Sequence, residues 1–278
     1  MRDDMELVSG VDLHFITSKK FKTNRIKIRF SAPMSMDTIA GRVLAANMLE
    51  TANEIYPTSQ IFRERLANLY GANFSTRLSR RGLIHYVDLD ISFVSDAFLS
   101  RKNTLTGEIL NFLKDSLLKP LVDGRAFNRT VFEVEKKNVL NDLKAEIEDH
   151  FYHAHQELNK LFYTKQDMQI PHFATLDLVE KETPESSFAV FQDMLQNDKI
   201  DLFFIGDFNE IEVYEHLKMF GLHPRQPELH LHYHQEFSNV LKEGLKQNDA
   251  HQSIIELGYH FSVQYGDRNH IPLVVLNG

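Results

Sequence analysis

Cysteine is absent from this chain of 278 residues. That excludes a disulfide framework, a thiolate metal site and a cysteine nucleophile. No apolar run approaches the ~20 residues that a membrane-spanning helix needs. The opening residues MRDDMELVSGVDLHF have neither the basic nor the apolar segment of a secretory signal, so a cytoplasmic protein without membrane contact is expected. Basic charge is also short: the formal net charge is −8. Nucleic-acid binding rests on a basic surface, and none is expected here. The 12 glycines are dispersed, with no phosphate-cradling G-x-x-x-x-G-K-S/T, no G-x-G-x-x-G after a strand and no G-x-S-x-G elbow. One further absence matters most: no histidine occurs between Phe15 and Ile84.

What is present is an ordinary globular balance, 42% hydrophobic and 25% charged. Its length suggests one large domain plus part of another. Leu13 and Phe15, then Ile26, Ile28 and Phe30, alternate with polar residues and predict two half-buried strands. Thr38 opens a predicted helix carrying Ile39, Val43, Ala46 and Met48. After Pro57, Thr58 or Ser59 caps a second one, with Phe62, Leu66, Leu69 and Tyr70 on one side and Gly71 at its end. Asn73–Leu78 and Ile84–Phe93 read as a hairpin turning at Arg80-Arg81-Gly82. Helical periods follow from Asp96 to Leu118 and from Asn128 to about Phe162, the latter with Val131, Val134, Leu140, Leu143 and Ile147 toward a core. Glu185–Leu195 predicts another helix, Ile200–Ile205 a strand, and Val213, Leu217 and Phe220 a further helix. Hairpins outnumber βαβ units, so the class is α+β, a mainly antiparallel sheet packed by helices. Residues 223–236 (HPRQPELHLHYHQE) read as a linker, after which Gln252–Phe261 and Ile271–Leu276 begin a new strand and an apolar element.

Three stretches carry a likeness. GRVLAANMLETANEIYPTSQIFRERLANLYGA (Gly41–Ala72) resembles the active-site helix and following helix of the pitrilysin/insulinase family of zinc peptidases. FEVEKKNVLNDL (Phe132–Leu143) is similar to the E-x-x-x-V-x-x-E helix that supplies that family's carboxylate zinc ligand. DLFFIGDFNEIEVYEHLKMFG is similar to the close of its first half. HQSIIELGYHF and IPLVVLNG resemble the start of the second half. The resemblance implies residues 1–222 as a first pitrilysin-like domain, 223–236 as a linker and 237–278 as an incomplete second domain, as expected of a truncated product. It points to a non-catalytic branch in Gram-positive bacteria. It implies a catalytic homologue as heterodimer partner, a peptide or protein substrate, and a link to elongation factor P modification.

Catalytic members of that family carry H-x-x-E-H, two imidazoles one helical turn apart with the general-base Glu between them. Sliding the pattern over this helix places it on Ala45–Leu49 or on Met48–Ala52, and neither supplies an imidazole. Zinc needs three protein ligands and an open position. Asp142 falls near the third-ligand position but has no imidazoles to join. Glu50 and Glu54 read as a solvated helix face. The expectation is therefore no catalytic residue, no metal ligand and no cofactor. Two histidine groups offer an alternative, a metal-dependent hydrolase unrelated to the family site. His150 and His153, with Asp149, His155 and Glu157 nearby, lie on a predicted helix. His230, His232 and His234 would share one face of an extended segment.

Overall fold

Alternation of apolar and polar residues builds one sheet. The computed structural model describes residues 2–100, 104–230, 233–236, 240–246 and 253–277. Its strands are β1 (Arg2–Val8), β2 (Val11–Thr17), β3 (Thr23–Pro33), β4 (Asn73–Arg81), β5 (Ile84–Val94) and β6 (Lys199–Gly206). They lie in the order β1-β2-β6-β3-β5-β4. All neighbours are antiparallel except β2 and β6. The α+β class with a mainly antiparallel sheet is thus found, with one parallel pair and with β1 added to the expected strands.

One face of the sheet is apolar and covered by helices. Leu13, Leu202, Ile28 and Leu89 stand side by side across four strands and are all buried. The opposite face is a ladder of opposed charges. Arg29 donates from Nε and Nη2 to Asp88 at 2.7 and 2.8 Å, and Lys27 Nζ donates to Asp88 at 3.1 Å. Burial opposes ionisation of Asp88, but Arg29 and Lys27 outweigh it and hold the carboxyl below its usual range. Lys199 bridges Asp12 and Asp201, two carboxylates in directly opposed register.

The helices are α1 (Ile39–Thr51), α2 (Ser59–Asn68), α3 (Leu105–Leu118), α4 (Arg129–Glu148), α5 (His150–Phe162), α6 (Gln166–Gln169), α7 (Leu176–Lys181), α8 (Pro184–Asn197), α9 (Glu210–Lys218) and α10 (His270–Leu276). Thr58 Oγ1 accepts from the Ile61 amide and caps α2, as its residue type predicts. Phe62, Phe74 and Phe112 tie α2, β4 and α3 together, with ring centroids 5.1 to 5.9 Å apart. Tyr70, expected on the apolar side of α2, lies past its end with φ of 56° and is exposed.

The single helical region expected over 128–162 is two helices. Asp149 adopts an extended backbone, and its carboxylate accepts from the Phe151 and Tyr152 amides at 2.9 and 3.3 Å, capping α5. An Asp that bonds its own following amides competes with helix continuation. Leu143 is buried and Val131 and Leu140 pack against the core as expected, with Phe132 and Val139 buried beside them, but Val134 is exposed. The side chain of Ile147 lies outside the described residues. The short helices α6 and α7 had no counterpart in the sequence pattern.

Residues 223–230 form no helix or strand. Gln252 lies outside the described residues, and 253–263 form no strand. This part of the chain runs along α5. Gln235 Nε2 donates to the Phe162 carbonyl at 2.8 Å and Lys242 Nζ to the Leu161 carbonyl at 3.1 Å. Both satisfy carbonyls that the end of α5 leaves without helical partners.

Gly206 closes β6 with φ of +137°, and a Cβ there would lie 2.9 Å from Asn24 Cγ. Asn24 in turn holds the turn, accepting from the Asp207 amide at 3.0 Å and donating to the Asp207 carbonyl at 2.9 Å. Gly206→Ala should therefore destabilise the chain by about 2 kcal/mol or more, read as a lowered midpoint in urea denaturation.

Candidate functional site

Helix α1 is buried on nearly every side. Ten of its thirteen residues are buried, from Ile39 to Ala46 without a break and then Met48 and Leu49. Gly41 allows close approach of α8, since a Cβ at this position would lie 2.8 Å from Val190 Cγ2. The helix carries an uncommon buried cation, Arg42. Its Nη2 sits 2.7 Å from Asp198 Oδ2, with both side chains 3% exposed. The approach lies off the hydrogen-bond direction, so the contact is an ion pair. Arg42 Nε donates to His85 Nδ1 at 3.0 Å, and His85 Nε2 meets the His172 carbonyl at 3.0 Å. That network assigns the proton of His85 to Nε2. This node fixes α1 against β5 and the end of α8.

Only Asn47, Glu50 and Thr51 of α1 are partly exposed. Asn47 and Thr51 are separated by one helical turn, with Glu50 at the third step. These are the first, fourth and fifth positions of H-x-x-E-H. The structure thus corrects both registers read from the sequence. Ala45, Met48, Leu49 and Ala52 all point into the core at 2% exposure or less, where a metal ligand could serve nothing. The sequence did hold a signal for the right frame, because Glu50 is the single acid between Ile39 and Thr51.

Each of the three side chains is engaged with the scaffold. Asn47 Nδ2 donates to the Val43 carbonyl at 2.9 Å. The Thr51 hydroxyl lies 3.0 Å from both the Asn47 carbonyl and Glu135 Oε1 of α4. Glu50 Oε2 accepts from the amide and the hydroxyl of Thr76 on β4, each at 2.8 Å. Glu50 is therefore a held side chain and not the solvated one expected. Glu54 and Asp142 are exposed.

Zinc does not fit this arrangement. An amide and a hydroxyl stand where imidazoles are needed, and the carboxylates of Glu50 and Glu135 are already bonded. Among the described residues no three His, Asp or Glu side chains are grouped so as to hold a metal. Among the described residues the two histidine groups are not assembled either. On α5, His150 is exposed, His153 is half-buried, and His155 Nδ1 meets Glu256 Oε2 at 3.2 Å. Glu157 binds Lys160 and Lys246 at 2.7 and 3.0 Å. His230 and His234 lie in chain without strand structure, and His232 is outside the described residues.

The fold is that of M16-peptidase-like domains, and the outward face of α1 carries no imidazole. No family model matches the sequence. The chain is 24% identical over 270 residues to a Bacillus subtilis protein described as a probable inactive metalloprotease, YmfF, covering 97% of the chain and 63% of that protein. A conserved protein of Enterococcus faecalis is similar in structure with a TM-score of 0.83 at 33% identity, over 86% of this chain and 56% of that one. An M16 peptidase inactive domain from Pseudomonas fluorescens shares the fold, with a TM-score of 0.65 at 14% identity over 83% of this chain and 52% of that one. The chain is thus similar to a protein described as a probable inactive metalloprotease and shares the fold of M16 peptidase domains, and it spans between half and two-thirds of the length of these relatives. No helix among the described residues is long and apolar enough to cross a membrane.

The buried node has a pH signature. Burial, and then the charge of Arg42, push the pKa of His85 down from 6.5 to about 3. Between those values the unfolded chain takes up a proton that the folded chain refuses, so stability falls as the pH drops through that window and is unaffected above it. Denaturation of wild type and His85→Gln at about pH 7.5 and about pH 4.5 reads this directly. Wild type should lose stability relative to the variant at the lower pH, and parallel losses in both would contradict it.

Proposed function

We propose that the chain is a proteolytically inactive M16-type subunit, which pairs with a catalytic homologue bearing H-x-x-E-H and helps to receive a peptide or protein substrate. The observation that carries this is the face of α1. Asn47, Glu50 and Thr51 occupy the three positions of the zinc pattern, and all three are hydrogen-bonded into the scaffold. A site rebuilt with satisfied partners is a folded surface without hydrolytic equipment. Such a surface can still bind, since fold and chemistry are separable.

One observation supports pairing. Residues from Val240 onward hold apolar side chains toward solvent: Leu245, Ile255, Val275 and Leu276 are each more than 70% exposed. Large uncovered apolar surface is a mark of association. Under this proposal residues 1–222 are one pitrilysin-like domain, and 237–278 begin a second one beyond the linker at 223–236. A connection to elongation factor P modification rests on the family resemblance alone, and a cytoplasmic setting on a composition without cysteine.

Co-expression with an M16 homologue that retains H-x-x-E-H tests the reading. Sedimentation should give a complex of the two chains, and the chain by itself should show no peptide hydrolysis with or without added zinc. Zinc-dependent turnover by this chain alone would refute inactivity, and separate sedimentation of the two proteins would refute pairing.

A further inference from the structure

The fit of Glu50 to β4 has a meaning beyond the loss of zinc. Among the described residues β4 is the last strand of the sheet, so one of its sides has no neighbouring strand. Its other side is fully engaged with β5 in continuous antiparallel register from Asn73 to Arg81. The Thr76 amide donates to Glu50 Oε2 at 2.8 Å, so this N–H points away from β5, along the open edge. The same oxygen accepts from the Thr76 hydroxyl at 2.8 Å. An open edge of unpaired N–H and C=O groups is a template for an extended polypeptide. A charged acceptor holds an N–H more strongly than the neutral carbonyl of an incoming strand would.

The helix that supplies the cap cannot easily swing away. Arg42 is anchored to Asp198 and His85 at one end of α1, and Thr51 is tied to Glu135 at the other. Glu50 therefore reaches the strand from a fixed backbone.

We propose that Glu50, standing at the general-base position of the zinc pattern, serves in this chain as a cap on the outer edge of β4 and closes that edge at Thr76 to an added polypeptide strand. Glu50 is a positioning residue, joining α1 to β4 through Thr76. The inference is independent of partner pairing: a chain that fails to pair can still carry the cap, and a chain without the cap can still pair.

Native-state amide hydrogen exchange on the full chain tests it. In Glu50→Ala the Thr76 amide should exchange on the order of tenfold faster or more, while the amides of Leu89 and Ile91 on β5 keep their protection. Glu50→Gln, which retains a carbonyl acceptor of the same reach, should keep most of the Thr76 protection. An equal Thr76 rate in wild type and Glu50→Ala would overturn the proposal. If Glu50→Ala loses protection throughout, Glu50→Asp decides the matter. Its shorter carboxylate should release Thr76 selectively, and unchanged Thr76 exchange in that variant would likewise overturn the cap.

Discussion

The burial of α1 constrains everything around it. A helix whose first eight residues are all buried must meet neighbours on every side, and here these are the sheet, α4, α7 and α8. Its partners are chosen for closeness: Gly41 admits Val190, and Ala45 and Ala46 occupy the core with little volume. The outward stripe that remains is only Asn47, Glu50 and Thr51 wide. Chemistry on this helix has no other place to go, so a zinc site and its replacement must use the same three positions.

Arg42 shows what holding such a helix costs. Burying a guanidinium and a carboxylate is unfavourable unless they compensate each other, and removing one partner of such a pair is more damaging than never having had it. Asp198 illustrates the balance. Burial raises its pKa, although the charge of Arg42 pulls the other way. His85 resolves its own burial by remaining neutral, accepting from Arg42 on one nitrogen and facing the His172 carbonyl with the other. The node gives α1 a single orientation, which an apolar contact of equal area would not specify. That orientation brings Glu50 to Thr76 and Thr51 to Glu135.

Much of this was legible in the chain because period reports burial. The two-residue alternation at Leu13, Phe15, Ile26, Ile28 and Phe30 marked real strands, and the Arg81-Gly82 turn joined a real hairpin. That α1 carries no imidazole is itself a fact of composition. Misreadings arose where local chemistry outweighs period. Asp149 breaks a helix that the apolar pattern would continue, and Val134 satisfies the pattern yet faces water. Register on α1 was ambiguous because nine of its thirteen residues are apolar and one of the four polar ones, Arg42, is itself buried, so periodicity could not separate the core side from the open side. The roles of Thr76 and His85 depend on contacts 26 and 43 residues apart in sequence, which no local pattern contains.

One feature of the sheet reaches beyond the finished molecule. β6 lies between β2 and β3, two strands that are consecutive in the chain, although almost 200 residues separate Val11 from its partner Ile200. During synthesis β2 and β3 must wait with a vacant slot between them until the last strand emerges. Pairings this distant in sequence form late, and a chain with unpaired edges is vulnerable while it waits. A ribosome that stalls before Lys199 therefore leaves behind a nascent product with a gap in the middle of its sheet, where chaperones or quality-control proteases would find it first.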